Sequence, residues 1–341
     1  MKAVRIHQHG NIDVLSIDDI QKPIPNEEQV LIQIKSSSLN HLDLFVRNGF
    51  PGIPLPLNMG SDGSGIVKET GKLVKNFSIG DEVIIVPFET CGVCSACISG
   101  REQLCRKYVI RGEYLDGCQA EYIVLSEKYI LPKPKNISFE EAAAFPLAYM
   151  TAYHMLTEKV QLKPEDHILI WGAASGIGSA AIQIAKIYDA KVITTVSSKV
   201  KETFAKQLGA DFILNYKNEN VAASVKDITN GKGVSVVFEH PGASTMLTSM
   251  RVLKMGGKIV TCGATTGPIF NLDIRHLFIK HQQIIGSTMG NRNNLSDLCK
   301  LIESGKISPK VSHRFPYTDI KKAHILLEEG KQIGKIVINF R

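Results

Sequence analysis

The stretch His167-Ile-Leu-Ile-Trp-Gly-Ala-Ala-Ser-Gly-Ile-Gly178 decides the fold of this 341-residue chain. A short apolar run leads into a turn of small residues, and an apolar helical pattern begins at about Gly176. Small residues let backbone N–H groups approach a pyrophosphate, and the N-terminus of a helix adds positive potential. Because Ala173 and Ser175 stand where the usual fingerprint has glycine, the turn is informative only together with the segments around it.

Those segments alternate regularly between strands and helices. Short, almost fully apolar strands separated by helical stretches are typical of a parallel sheet that is covered on both faces. We therefore predict a doubly wound dinucleotide-binding domain over residues 147–290, with Ser175, Gly176 and Ile177 at the pyrophosphate. A tight packing turn that holds no ligand is the alternative. The predicted strands are His167–Trp171, Lys191–Val196, Phe212–Asn215, Ser235–Phe238, Lys258–Cys262 and Ile284–Ser287.

The sequence on either side of this domain predicts a different pattern of secondary structure. From residue 1 to about 146, short alternating strands are separated by Gly, Pro and Asn breaks, which predicts a barrel-like domain. Ser138-Phe-Glu-Glu141 has the pattern of a capping box and predicts a helix that carries Ala142 to Leu156. The C-terminal segment, 291–341, predicts a helix, a Pro-containing link, a second helix at Thr318–Glu329 and a strand at Lys335–Phe340. We expect it to join residues 1–146 in one domain, with the ligand cleft between the two domains.

The composition excludes several other classes of protein. With 44% hydrophobic and 21% charged residues, the chain has ordinary globular usage, which excludes disordered and fibrous folds. No apolar run approaches the roughly 20 residues that span a bilayer. The chain enters a strand pattern at Met1–Gly10 without a signal segment, so we expect a cytoplasmic location. The 40 basic and 33 acidic residues are scattered, which favours attraction of a phosphorylated cofactor over nucleic-acid binding.

Four of the seven cysteines follow a metal-site pattern, Cys91-x2-Cys94-x2-Cys97-x7-Cys105. Zn²⁺ takes four thiolates at tetrahedral angles, and close spacing lets one loop wrap the ion. Because all four positions are cysteine, no coordination position is left open, and we predict one structural Zn²⁺ per chain in a lobe at residues 88–107. Unrelated free thiols and an iron–sulfur cluster are the alternatives.

The ribose end of the nucleotide domain predicts the choice of cofactor. The second strand ends in Thr194-Thr-Val-Ser-Ser-Lys-Val-Lys201, without the acidic residue that binds the ribose 2′-OH of NAD. Ser198 and Lys201 suit a 2′-phosphate, with Tyr216 against the adenine or the phosphate, so the pattern predicts NADPH. Solvated lysines at the start of a helix are the alternative. Backbone groups at the ends of the last two strands are candidate carboxamide contacts, at Gly263, Thr265 and Ser287.

Together these features resemble the medium-chain dehydrogenase/reductase superfamily over essentially the whole chain. The cysteine lobe is similar to that of the zinc alcohol dehydrogenases. Asn40-His-Leu-Asp43, Arg47-Asn-Gly49 and Met150-Thr-Ala-Tyr153 look like the quinone oxidoreductase (zeta-crystallin-like) branch. The resemblance implies an α/β chain with a GroES-like β-barrel catalytic domain and a Rossmann domain. It also implies a nicotinamide contact at Thr151, for which a core hydroxyl is the alternative, and a homodimer or homotetramer paired through the edge of the nucleotide-domain sheet.

The chain departs from the alcohol dehydrogenases at the positions of their catalytic zinc. The resemblance places one ligand cysteine in the segment Ser38-Leu-Asn-His41, a Gly-His-Glu segment at Gly60-Ser-Asp62 and a second cysteine near Leu147, and this chain has none of these ligands at the matching places. Without a Lewis acid, reduction of an unactivated ketone would need a strong general acid in the same place. A conjugated acceptor relaxes that need, because the charge spreads into an enolate or quinol oxygen that hydrogen bonds can stabilise. We therefore expect no catalytic metal, and a poor two-ligand site at His41 and Asp62 is the alternative.

These residues predict an NADPH-dependent oxidoreductase that transfers hydride to an α,β-unsaturated carbonyl: a quinone, an enone or an enoyl-CoA such as acryloyl-CoA. The resemblance makes Asn40 the candidate donor to the developing oxyanion. Asp43 and Arg47 stand four apart on a short predicted helix, where they form either an ion pair or substrate contacts. The alternatives are an alcohol dehydrogenase or aldehyde reductase of the zinc-containing family, and an NADPH- or RNA-binding protein with little turnover.

Overall fold

Two units make up the chain, Met1–Ala148 with Asn291–Arg341, and Tyr149–Gly290. A computed structural model describes residues 1–49 and 51–340. None of the helices in these described ranges has the length and apolar character that a bilayer crossing requires.

The strands and helices are numbered here in chain order. The strands are β1 (Lys2–Ile6), β2 (Leu15–Asp19), β3 (Gln29–Ser38), β4 (Leu57–Asn58), β5 (Asp62–Thr70), β6 (Glu82–Ile85), β7 (Phe88–Glu89), β8 (Val109–Ile110), β9 (Tyr122–Ser126), β10 (Ile130–Pro132), β11 (His167–Ile170), β12 (Lys191–Val196), β13 (Phe212–Asn215), β14 (Val234–Glu239), β15 (Leu253–Thr261), β16 (Gln283–Gly286), β17 (Val311–Pro316) and β18 (Lys335–Asn339). The helices are α1 (His41–Asn48), α2 (Ser95–Ile98), α3 (Phe139–Ala143), α4 (Pro146–His154), α5 (Gly176–Ile187), α6 (Lys199–Gln207), α7 (Val221–Ile228), α8 (Met246–Val252), α9 (Ile274–Ile279), α10 (Arg292–Glu303) and α11 (Ile320–Glu328).

Strand β3 organises the first unit. It pairs antiparallel with β5, with β9 and with β18, and its apolar residues are buried in the core. In the pairing with β18, Val337 lies opposite Ser38 at the end of β3. Since α1 begins directly after β3, this register brings Lys335, at the start of β18, beside the N-terminus of α1. A position near the end of the chain therefore lies next to the segment Asn40–Asp43.

The second unit contains a six-stranded parallel sheet with the order β13-β12-β11-β14-β15-β16. The order reverses between β11 and β14, which is the point where doubly wound sheets bind their ligands. Helix α5 follows β11 directly, so the glycine-rich turn lies at the carboxyl end of the sheet beside this point. The predicted fold class, a GroES-like barrel domain with a doubly wound nucleotide-binding domain, is confirmed.

Two local predictions need correction. The capping box forms, with Ser138 N donating to Glu141 Oε2 at 2.9 Å, but the helix that follows is broken at Pro146. Proline has no N–H to donate to the preceding turn, so α3 ends at Ala143 and α4 is a separate helix. In the C-terminal segment, the predicted Pro-containing link is the strand Val311–Pro316, which pairs in parallel with β18.

Candidate active site

The side-chain amide of Asn40 is held from both ends by buried charged groups. Its Nδ2 donates to Asp62 Oδ2 at 2.9 Å, and its Oδ1 accepts from Lys335 Nζ at 2.5 Å. Lys335 Nζ also donates to Asp62 Oδ2 at 3.2 Å. An ammonium group only donates and a carboxylate only accepts, so these bonds determine which end of the amide carries the nitrogen. They use one of the two Nδ2 hydrogens, and the described residues offer no acceptor to the other.

The carboxylate of Asp62 is the centre of this cluster. It has no exposed surface, and Ser38 Oγ donates to its Oδ2 at 3.0 Å while the backbone N–H of Leu147 donates to its Oδ1 at 2.8 Å. Ser38, Asp62 and Leu147 come from the three segments at which the resemblance implies the catalytic-zinc ligands of alcohol dehydrogenases. A hydroxyl, a backbone N–H and a carboxylate already paired with an ammonium do not fit a catalytic zinc, which takes thiolate and imidazole ligands there.

Asp43 lies at the first turn of α1 and is fully buried. Its Oδ2 accepts from the backbone N–H of Asn40 at 2.7 Å. Burial raises the pKa of Asp43 to about 7, although this hydrogen bond and the charge of Lys335 oppose the shift. Burial and the same charge lower the pKa of His41, so its imidazole is neutral at pH 7. Burial also lowers the pKa of Lys335, against the carboxylates of Asp62 and Asp43.

Arg47 is buried at the end of α1 and contacts α11. Its guanidinium donates to the carboxylate of Glu328, to Asn48 Oδ1 at 3.0 Å and to His324 Nδ1 at 3.4 Å. The expected ion pair between Arg47 and Asp43 is therefore wrong, because Asp43 turns back to the helix N-terminus while Arg47 faces the neighbouring helix. Burial and the guanidinium charge lower the pKa of His324 to about 3. This geometry suits a structural role for Arg47, and its predicted catalytic role stays a prediction.

The four cysteines of the lobe come together as their spacing predicts. Each sulfur lies within 4.8 Å of the other three, with separations of 3.8 Å for Cys91–Cys97, 3.5 Å for Cys94–Cys97 and 3.6 Å for Cys91–Cys105. Tetrahedral Zn²⁺ with Zn–S bonds of about 2.3 Å requires sulfur–sulfur edges of about 3.8 Å. Backbone N–H groups that donate to Cys91 lower its pKa to about 6, whereas burial raises the pKa of Cys97 to about 11 in the absence of an ion. The lobe therefore fits a zinc ion, and in the described residues it is the one cluster of three or more such ligands.

The geometry of the glycine-rich turn in the second unit explains why its sequence departs from the usual fingerprint. Gly172 has a φ of +65°, and a Cβ on Gly178 would lie 2.2 Å from Gly172 O, so both positions require glycine. Ser175 is the N-cap of α5, and its Oγ accepts from Gly178 N at 2.9 Å. The N–H groups of Gly176 and Ile177 lie in the first helical turn, where no intrahelical acceptor exists. The turn therefore offers a pyrophosphate the donors that it needs.

His240 was missed by the sequence analysis. It follows β14, and its Nε2 donates to Trp171 O at 2.9 Å and lies 3.4 Å from Ser175 Oγ. Its ring also lies 3.3 Å from the position that a Cβ on Gly172 would occupy. The signal that could have found it is its place at the carboxyl end of a strand directly beside β11, where ligands of doubly wound sheets bind.

The segment that is predicted to bind the ribose has a second basic side chain, that of Lys217, close to the predicted Lys201. Ser198 is the N-cap of α6, and its Oγ accepts from the backbone N–H of Lys201 at 3.4 Å. Burial and the nearby charge of Lys217 lower the pKa of Lys201. Two ammonium groups that repel each other favour a bound anion between them. Lys217 was missed, although it directly follows Tyr216, which is half exposed.

The remaining nicotinamide candidates differ in their surroundings. Thr151 is buried in α4, and Thr265 is exposed in the loop after β15. A Cβ on Gly263 would lie 2.7 Å from His240 O, so this glycine allows a close backbone approach. The Oγ of Ser287 is buried and has no hydrogen-bond partner among the described residues, as expected for a group that contacts a bound ligand.

A parallel doubly wound sheet with this turn, in a chain that also contains a barrel unit with a charged amide cluster, indicates a dinucleotide-dependent oxidoreductase. Two family models match the chain, the alcohol dehydrogenase GroES-like domain at residues 26–135 and the zinc-binding dehydrogenase at residues 176–304. The chain is 31% identical to the crotonyl-CoA carboxylase/reductase of Cereibacter sphaeroides, over 94% of this chain and 83% of that protein. It belongs to the medium-chain dehydrogenase/reductase superfamily.

Two solved structures show the range of activities among its relatives. One is an NAD-dependent alcohol dehydrogenase with a TM-score of 0.97 and 40% identity, covering 100% of both chains. The other is the 2-octenoyl-CoA carboxylase reductase CinF in complex with NADP and 2-octenoyl-CoA, with a TM-score of 0.90 and 27% identity, covering 99% of this chain and 87% of that chain.

Proposed function

We propose that this oxidoreductase is an NADPH-dependent reductase of enoyl-CoA thioesters. The observation that carries the proposal is the hydrogen-bonded cluster of Asn40, Asp62 and Lys335, of which Asn40 and Asp62 lie in segments where the resemblance implies catalytic-zinc ligands of alcohol dehydrogenases. The cluster has an amide donor for an oxyanion and lacks the thiolate and imidazole ligands of a Lewis acid. The similarity to a crotonyl-CoA carboxylase/reductase and to a complex with 2-octenoyl-CoA supports the substrate class.

The residues of the cluster suit conjugate reduction. When bound, NADPH supplies the hydride, which is added to the β-carbon of the substrate. Negative charge then develops on the thioester oxygen as the enolate forms, and the second Nδ2 hydrogen of Asn40 would donate to this oxygen. Uptake of a proton at the α-carbon then completes the saturated thioester. Because the charge is delocalised over the conjugated system, a preorganised hydrogen bond can supply the stabilisation that a simple ketone would demand from a metal.

The residues of the second unit support NADPH as the cofactor. Ser175, Gly176 and Ile177 would bind the pyrophosphate through the first turn of α5. Ser198 and Lys201 would bind the 2′-phosphate, with Tyr216 beside it. The neighbouring Lys217 adds charge at the same place. Gly263, Thr265, Ser287 and Thr151 remain proposed contacts of the nicotinamide.

The lobe at residues 88–107 would hold one structural zinc. Cys91, Cys94, Cys97 and Cys105 supply four thiolates, which leave no coordination position for a substrate. A zinc ion there would brace a lobe whose regular structure consists of short elements.

The edge of the nucleotide-domain sheet supports a homodimer or homotetramer. Strand β16 is the last strand of the six-stranded sheet, and α9 precedes it. An edge strand beside exposed apolar side chains is a surface for pairing with another copy of the chain. These residues form the apolar edge, with the exposed fraction of each: Ile269 (80%), Ile274 (65%), Phe278 (63%) and Ile279 (60%).

An alcohol dehydrogenase is the second candidate, because the NAD-dependent alcohol dehydrogenase structure is 40% identical to this chain. Oxidation of NADPH and of NADH with a panel of acceptors distinguishes the two. The panel contains acryloyl-CoA, crotonyl-CoA, an enone, a quinone and an aldehyde, each with a chelator at concentrations that leave the melting temperature unchanged. We expect NADPH-dependent reduction of the enoyl-CoA thioesters that resists the chelator.

Other outcomes would contradict the proposal. Reduction of the aldehyde alone, lost on chelation, would support the alcohol dehydrogenase. Preferred turnover of a quinone or an enone would show that the substrate is a conjugated acceptor other than an enoyl-CoA thioester. Tight NADPH binding without turnover of any acceptor would indicate a binding protein.

A further inference from the structure

Three buried groups form a closed triangle of hydrogen bonds in the first unit. Lys335, with 3% of its surface exposed, donates to both Asn40 Oδ1 and Asp62 Oδ2, and Asn40 Nδ2 donates to the same Asp62 oxygen. Lys335 and Asn40 lie 295 positions apart in the sequence. Their contact depends on the pairing of β18 with β3.

The triangle permits one orientation of the Asn40 amide. A flip by 180° would turn the NH₂ group toward an ammonium and the carbonyl oxygen toward a carboxylate, so two attractive contacts would become repulsive. A carbonyl that accepts from a cation is also polarised, which strengthens the N–H groups of the same amide as donors. Orientation and donor strength of the free Nδ2 hydrogen therefore both depend on the ammonium of Lys335.

The groups that surround Asp62 keep Lys335 and the Asn40 amide in this arrangement. Asp62 compensates the buried ammonium at 3.2 Å, and Ser38 Oγ and Leu147 N saturate the carboxylate. Asp62 therefore cannot move toward another partner without losing several hydrogen bonds. Lys335 and Asp62 together therefore fix the position of the Asn40 amide.

We propose that Lys335 is a positioning residue for the reaction, acting through Asn40: its ammonium holds the amide so that one Nδ2 hydrogen points to the substrate oxygen. This inference rests on the proposed function for its kinetic test, and it has a structural test of its own. It predicts that the effects of removing Lys335 and of removing the Asn40 amide are coupled.

A double-mutant cycle tests the coupling. We expect Asn40→Ala and Lys335→Met each to lower kcat roughly 10- to 100-fold with little change in KM, because both remove stabilisation made only in the transition state. We expect the double variant to be no slower than Asn40→Ala, since Lys335 then has no amide to position. Lys335→Arg keeps the cation and should recover part of the loss.

Lys133→Met is the matched control, because Lys133 is a second buried lysine of the same unit that donates to the backbone oxygens of Pro134 and Ile137. We expect it to lower the melting temperature and to leave kcat unchanged. If Lys335→Met fails to fold, the same cycle is run with Lys335→Arg, which moves the donor atoms but keeps the charge.

Three results would overturn the inference. The first is an unchanged kcat in Lys335→Met, and the second is a double variant whose losses multiply. The third is a crystal structure of a Lys335 variant in which the Asn40 amide keeps its orientation, a readout that needs no turnover. If the wild-type enzyme reduces no enoyl-CoA, the proposed function fails, and the crystal structure alone decides the positioning role.

Discussion

Lys201 links a single side chain to the choice of cofactor. It lies in the first turn of α6 behind the N-cap Ser198, and its pKa is lowered by burial and by Lys217. A 2′-phosphate would neutralise this repulsion, whereas the 2′-OH of NADH would not. The proposed preference for NADPH should therefore depend on the two lysines together.

We predict that Lys201→Ala narrows the ratio of kcat/KM for NADPH over NADH by about 10-fold, since a charge-assisted hydrogen bond is lost. Steady-state kinetics with both cofactors measure this ratio. Lys206→Ala, at an exposed position in the last turn of the same helix, is the control. An unchanged ratio in Lys201→Ala would show that the 2′-phosphate binds elsewhere.

Asp43 makes the stability of the protein depend on pH. Its pKa is raised from 3.8 to about 7 in the folded protein, so the folded state keeps a proton that the unfolded state loses near pH 4. Between about pH 4 and pH 7 the folded state therefore binds more protons, and the contribution of this group to the free energy of unfolding falls as pH rises.

We predict that Asp43→Asn, which retains an acceptor for the Asn40 N–H, abolishes this contribution. The melting temperature of the variant relative to wild type should rise as pH increases from 5 to 8. Thermal melts at several pH values measure the difference. Parallel pH curves for the two proteins would contradict the raised pKa of Asp43.

At the scale of elements, the regular structure of the cysteine lobe consists of short helices and strands. Helix α2 has four residues, and β7 and β8 have two each. Such short elements have little stability in isolation, because the cost of nucleating a helix or strand pair is not recovered. A metal ion that crosslinks four positions can supply the missing free energy.

We predict that Cys97→Ser loses the bound zinc and lowers the melting temperature together, because a three-thiolate site binds the ion more weakly. Metal analysis of the purified protein and a thermal melt measure both. Cys299→Ser, a half-buried cysteine in α10 outside the lobe, is the control. One full zinc equivalent in Cys97→Ser would refute the four-cysteine site.

At the scale of the whole molecule, the apolar edge of the second unit is the surface that we propose pairs with another copy of the chain. Exposed Ile and Phe side chains lie on α9, which precedes the edge strand β16, and the outer side of an edge strand offers N–H and C=O groups for pairing. Pairing of two copies would satisfy both, since it buries apolar surface and extends the sheet.

We predict that Phe278→Asp reduces the oligomeric state, because burying a charge in an apolar interface is unfavourable. Light scattering after size-exclusion chromatography measures the mass in solution. Ile79→Asp, at a similarly exposed position in the first unit, should leave the mass unchanged. A wild-type chain that is monomeric at high concentration would contradict the proposed pairing.

The sequence by itself determined the features that depend on neighbouring residues. The turn at Gly172–Gly178, the cysteine spacing of the lobe and the alternation of apolar strands with helices are all local, and local spacing constrains backbone geometry directly. They were sufficient to predict the fold class and the gathering of the four sulfurs, whereas Asn40 became a candidate only through the resemblance to a family.

The tertiary structure alone decided what surrounds these residues. Asn40 meets Lys335, and Arg47 pairs with Glu328 instead of its neighbour Asp43, because the register of β18 on β3 and the packing of α11 on α1 bring distant segments together. The partners of buried charges depend on distance and on desolvation, and neither quantity can be read from the order of the residues in the sequence.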